Sequence, residues 1–196
     1  AGRSSTRLLP YRRPARSTEP ARILGGARYI IVAATGYGRG AASAPGGEPV
    51  EFARARVARY ASRDHYRELR GALTSLVGVL RDAGHRGVVV ADDNALVDRE
   101  AAWRAGLGWY GKNSMILIPG HGSWFVLGAV VTDAELPTGA PPVADGCGSC
   151  ARCLPGCPTG AIVAPGVVDA RRCLSWLLQT PGIFPPRYRR ALGDRV

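Results

Sequence analysis

Four of the chain's five cysteines fall between residues 147 and 157, in "CGSCARCLPGC", and Pro158 follows at once. The spacing is C-x2-C-x2-C-x3-C-P. Zinc sites usually draw on two close pairs set a dozen or more residues apart around one tetrahedral ion. Three thiols at successive three-residue steps instead wrap a cubane, and the fourth is directed to a neighbouring cluster, as in bacterial two-cluster ferredoxins. The run therefore predicts 4Fe–4S ligation by Cys147, Cys150, Cys153 and Cys157, with zinc as the competing reading. Without an apolar secretory leader, the cysteines point to metal in a reducing compartment rather than to disulfides.

The rest of the chain reads as an α/β unit. "ARYIIVAATGY" (27–37) and "RGVVVADD" (86–93) are β-branched runs with the look of buried strands, and "SMILI" and "SWFVLGAVVTD" are two more. From Asp64 to Ala83, the residues Leu69, Leu73, Leu76, Val77 and Leu80 recur at helical spacing, with Asp64 as N-cap and Gly84 as stop. A second helix is expected over 95–106 and a third, carrying Cys173, over 169–179. The elements give an α+β chain: a sandwich-like core with a mixed sheet over 23–137, then a cysteine module over 138–196 reached through the Pro-rich linker "ELPTGAPPVADG". A basic segment (1–22), expected to be disordered or a cropped end with a transit peptide as alternative, and a Gly/Pro/Ala-rich loop (38–52) complete the organisation. No apolar run approaches the roughly 18–20 residues of a membrane span.

The net charge is +11, and 26 residues are Lys or Arg against 15 Asp or Glu. Base composition can explain why almost all are arginine, but not the shortage of acids, so a polyanionic partner is expected. Lys112 is the one lysine, in "RAGLGWYGKNSM" (104–115). A surface cation would have been arginine here, so the position calls for a compact ammonium. Gly106, Gly108 and Gly111 allow close backbone approach. Their spacing, and the absence of a preceding strand, exclude a dinucleotide fingerprint, while a tight helix-to-strand turn stays open. His65, His85 and His121 have no metal-ligand spacing.

Together "RAGLGWYGKNSMILI", "GSWFVLGAVVTDAELP", "CGSCARCLPGCPTGAI" and "DARRCLSWLLQ" resemble successive blocks of the epoxyqueuosine reductases, cobalamin- and iron–sulfur-dependent enzymes that complete queuosine in tRNA. The resemblance implies a cobalamin-binding core followed by a ferredoxin-like module. It also implies reduction of an epoxide on the wobble base of a tRNA with a GUN anticodon, using an external electron donor, in a cytoplasmic monomer. Counting back from Ala105 places the family's catalytic aspartate at Asp92, in "DDNA" where the family has D-S/T-x-P. At the end of a buried strand its carboxyl is expected to be partly desolvated; an N-cap role there fits Asp93 or Asn94 better. The family's "RYAxGxDYH" appears as "RYASRDHY" (59–66), and its arginine before proline falls at Ser17, with Arg16 one step off. Cobalamin would be contacted by Asp92, Lys112, Asn113, Ile116, Leu127 and Ser175, with a core role equally open for Ile116 and Leu127. Two 4Fe–4S clusters are implied with incomplete ligand sets: Cys147, Cys150 and Cys153 for one, Cys157 with Cys173 for the other. The family's second cysteine run would complete both, so a longer protein is expected. Arg171, Arg172, Arg187, Arg189 and Arg190, with Tyr188, form the expected RNA face. The rivals are a reductive dehalogenase relative, a plain electron-transfer ferredoxin, and an RNA-binding module with a structural metal.

Overall fold

The computed structural model describes residues 17–38, 55–137 and 139–195. The basic segment up to Arg16 and nearly all of the 38–52 loop lie outside the described residues. The elements are β1 (Tyr29–Gly36), α1 (His65–Asp82), β2 (Gly87–Ala91), α2 (Asp98–Arg104), β3 (Trp109–Tyr110), β4 (Ile116–Leu117) and β5 (Phe125–Thr132). The cysteine lobe adds β6 (Ile162–Ala164), β7 (Val167–Val168), α3 (Leu174–Gln179) and α4 (Pro186–Leu192).

β5 lies between β1 and β2 and is antiparallel to both. The expected mixed sheet is thus a three-stranded antiparallel one. Both faces of β5 are covered, which is why its sequence is apolar without alternation. Val126 and Val130 meet Leu69, Leu73 and Leu80 of α1. On the opposite face Val131 packs with Leu24 and Val90, and Leu127 packs with Ala102 and Ile116. Gly128 lets α1 settle close to the sheet: a Cβ there would stand 2.9 Å from Leu73 Cδ1 and 3.0 Å from Leu69 Cδ2. Asp64 caps α1 by accepting the Arg67 N–H at 2.9 Å, and Gly84, at φ 84°, ends it. The buried Thr132 hydroxyl donates to the Arg86 carbonyl at 2.7 Å and accepts the Ala134 N–H at 3.0 Å, so its polarity is satisfied.

Three expectations are corrected. β2 stops at Ala91 because Asp92 turns into the left-handed region, φ 54°. The helix expected from 95 starts at Asp98, because the Asp93 carboxylate accepts the Ala95 N–H at 2.8 Å and closes a turn first. Val97 is therefore the N-cap, without a side-chain bond, and neither Asp93 nor Asn94 fills that role. The helix expected over 169–179 is broken: Asp169 accepts the Arg171 N–H at 3.1 Å and caps a 3-10 turn (Ala170–Arg172), Cys173 is extended, and α3 follows.

Candidate functional site

β1 and β2 run in the same direction beside β5, so Tyr37, Asp92 and Trp124 gather at one end of the sheet. Asp92 lines a cleft of about 310 Å³ with Ser17, Asp93, Asn94, Leu96, Val97, Asp98 and Arg99. The residue is exposed rather than buried at the end of β2. Ser17 fixes the rim: its hydroxyl donates to the Asn94 carbonyl at 2.5 Å, and its own carbonyl accepts the Val97 N–H at 3.2 Å.

Behind Asp92 stands Tyr66. Burial pushes its hydroxyl up to about 12, reinforced by the charges of Asp92 and Asp98. The Arg70 guanidinium carbon lies 5.6 Å from the Tyr66 ring centre, and Arg70 Nη2 donates to the Ala91 carbonyl at 3.0 Å. Arg70 thus links the Tyr66 ring to the last residue of β2, next to Asp92. Farther along, Tyr37 meets the Trp124 ring edge-on at 5.9 Å, and the Arg59 guanidinium carbon sits 5.4 Å from it.

Arg99 connects this cleft to the next. Its Nη1 donates to the Ser114 carbonyl at 2.8 Å, in the turn between β3 and β4. Ser114 is left-handed, φ 65°, and its buried hydroxyl has no partner among the described residues. Asn113 Oδ1 accepts the Met115 N–H at 3.1 Å, leaving its NH2 to offer outward. The glycines before this turn serve the fold. Gly106 takes φ 72° with the carbonyls of Ala140 and Pro141 within 2.9 Å of where a Cβ would stand. Gly108 lies so close to the Leu117 backbone that any side chain would collide with it. What approaches closely is the chain itself.

The second cleft, about 230 Å³, is lined by Asn113 from the core and by Cys157, Pro158, Thr159, Ala161, Ile162, Val168, Cys173, Leu174 and Ser175 from the lobe. Two cysteines sixteen positions apart are therefore brought to one cavity. The Thr159 hydroxyl donates to the Arg172 carbonyl at 2.6 Å, while Arg172 Nη2 donates to the Thr159 carbonyl at 2.9 Å. That reciprocal clamp ties the Cys157 turn to the residue before Cys173. Burial pushes the Cys157 thiol up, but N–H groups of Ile162, Thr159 and Ala161 and the Thr159 hydroxyl together hold it below the usual thiol value. Such a sulfur is prepared to be a thiolate ligand. Cys147, Cys150 and Cys153 sit in successive turns, with the Cys150 N–H on the Cys147 carbonyl at 2.8 Å and the Leu154 N–H on the Ala151 carbonyl at 3.0 Å. Among the described residues no three His, Cys, Asp or Glu side chains converge as the ligands of one metal ion.

A family model for a 4Fe–4S double cluster binding domain matches residues 146–196. The epoxyqueuosine reductase of Vibrio cholerae is 43% identical over 144 residues, covering 71% of this chain and 39% of that protein. That of Bacillus anthracis is 36% identical over 187 residues, covering 91% and 47%. The chain is a homologue of the epoxyqueuosine reductases. It spans less than half the length of these two relatives. A crystal structure of epoxyqueuosine reductase with an epoxyqueuosine-modified tRNA-Tyr stem loop superposes with a TM-score of 0.83 at 34% identity, covering 92% of this chain and 48% of that one. The Bacillus subtilis epoxyqueuosine reductase (TM-score 0.78, 34% identity, 90% and 47% covered) is described with an aspartate-bearing catalytic loop swung out of its active site.

Measured against the epoxyqueuosine reductase resemblance, the structure gathers Asn113, Ser175, Cys157 and Cys173 at one cleft and Asp92 at the adjoining one. Ile116 and Leu127 are 1% and 6% exposed and pack with Ala102 in the core. Of the arginines expected to face RNA, Arg172 is spent on Thr159, and Arg171 pairs with Asp169 at 2.9 Å. Arg187, Arg189 and Arg190 remain on α4, with Arg187 stacked 4.8 Å over Tyr188. Tyr66, Arg70 and Arg99 escaped the sequence reading. The reversed "DHY" was the available signal, since it puts a tyrosine where the family has histidine.

Proposed function

We propose that the chain carries the reducing site for epoxyqueuosine at the wobble position of tRNA. The observation that carries this reading is the pairing of clefts. Core and cysteine lobe share one through Asn113, Cys157, Cys173 and Ser175, and the Arg99–Ser114 bond joins that turn to the cleft of Asp92. When bound, two 4Fe–4S clusters and a cobalamin would supply the two electrons, drawn from an external donor. Cys147, Cys150 and Cys153 would hold one cluster, and Cys157 with Cys173 the other. The polarised Cys157 sulfur suits that role, as does its placement beside Cys173.

For the corrinoid, the fitting features are the Asn113 NH2, the unpartnered Ser114 hydroxyl and the Ser175 hydroxyl. Each cleft is near or below the roughly 300–1,000 Å³ of ordinary small-molecule sites, so so large a ring would lie across both. Lys112 would border it, and Ile116 and Leu127 would support the strands from behind. Asp92 would deliver a proton to the epoxide oxygen as the C–O bond breaks. Its exposure suits a turn that closes over substrate, as the swung-out loop of the Bacillus subtilis relative suggests. Tyr66 would orient it from beneath. The α4 arginines and Tyr188 would meet the tRNA, whose GUN anticodon bears the modified base. Among the described residues no helix is long and apolar enough to cross a membrane.

The test is anaerobic reconstitution with iron, sulfide and cobalamin, then turnover of an epoxyqueuosine-bearing stem loop by the chain and by Asp92→Asn. Loss of a general acid should lower turnover about 10²–10⁴-fold with corrinoid binding retained. Turnover unaffected by the substitution, or no bound corrinoid, would sink the assignment.

A further inference from the structure

Lys112 carries a consequence of its own. The chain uses 25 arginines and this single lysine, so arginine was the readily available cation and was not used here. The Lys112 Nζ donates to the Gly148 carbonyl at 2.7 Å, across 36 residues of sequence. Its main-chain carbonyl accepts the Gly166 N–H at 2.9 Å. One residue of the core thus grips two separate segments of the cysteine lobe. Gly148 lies inside the Cys147–Cys150 turn, and Gly166 lies in the turn between β6 and β7. Gly148 itself is left-handed, φ 49°, a conformation that glycine adopts without strain.

We infer that Lys112 is a positioning residue: its ammonium ties the first-cluster turn to the core and sets a positive charge beside the Cys147 and Cys150 thiolates. An ammonium can reach one carbonyl along its stem, whereas a guanidinium needs a wider planar seat. The tie consists of these two bonds. The second effect rests on the reading that these cysteines hold an iron–sulfur cluster. A reduced cluster carries one more negative charge than an oxidised one, so a nearby cation favours the reduced form and raises the potential.

The whole chain and its Lys112→Met and Lys112→Arg variants separate the two effects. Hydrogen exchange read by mass spectrometry should accelerate about tenfold in the 146–157 segment of Lys112→Met, the size expected from losing a charge-assisted bond. Peptides from α1 and β5 should stay unchanged, which shows that the variant is folded. Arginine should not restore the slow exchange. Unaltered exchange in Lys112→Met overturns the tie, and full rescue by arginine overturns the need for an ammonium. After anaerobic loading with iron and sulfide, an EPR-monitored redox titration should place the Lys112→Met midpoint below that of the parent. Equal midpoints overturn the electrostatic effect. A parent chain that takes up no cluster defeats that effect together with the cysteine reading, while the exchange result still decides the tie.

Discussion

The α/β core and the cysteine lobe are built on different physics. In the core, Val130 and Val131 are fully buried and Leu69 is 1% exposed, and apolar contact with α1 and α2 fixes every strand. In the lobe the buried apolar residues are the small Ala161 and Ala170. Turns, left-handed glycines at 148, 160 and 166, and side-chain bonds to backbone do the organising. A segment with so little apolar interior is poorly placed to offset its conformational entropy unaided. The lobe's architecture is a frame for thiols, and metal is what would complete it.

The sharpest way to break this contrast is to remove a thiol. Cys157→Ser or Cys173→Ser should abolish assembly of the cluster they are proposed to share, seen as loss of iron, sulfide and visible absorption. The α1 and β5 peptides should keep their exchange protection; global unfolding would show that the regions are one cooperative unit. The converse change, Leu69→Ala in the core, should cost about 2–5 kcal/mol of stability in denaturant unfolding, with the cysteine turns still able to take up iron. The smallest effect is expected from Thr159→Val, which removes the hydroxyl bond to Arg172. The loss should be about 0.5–1.5 kcal/mol. In the native lobe the thiolate of Cys157 is favoured, so deleting one of its supporting groups should raise the thiol pKa. Alkylation of Cys157, followed by mass spectrometry, should then need a higher pH; an unmoved profile would show that the hydroxyl holds the backbone but not the sulfur.

This division also governs what could be read from sequence. Burial on both faces leaves an apolar run, so β5 was legible as "SWFVLGAVVTD", and α1 announced itself through Asp64, its leucines and Gly84. The cysteine spacing disclosed the chemistry of the lobe because ligand geometry is local. Tertiary partners were not legible. The break at Cys173 depends on Asp169 capping a short turn against an otherwise helical pattern. The glycines of "GLGWYG" proved to accommodate Leu117 and the 140–141 backbone, neither of which spacing can name. Register singles out Asp92, but its exposure follows from where β2 stops, and Tyr66 and Arg70 come near its turn only once α1 lies on the sheet. Ile116 and Leu127 suit both readings on paper, and the structure shows their packing with Ala102.

The left-handed backbone at Asp92 has a practical corollary for anyone dissecting this turn. Asparagine and aspartate are the non-glycine residues best tolerated there, while alanine would add conformational penalty of its own. The carboxamide replacement therefore removes the acid and leaves the bend intact, and truncation would confound the two.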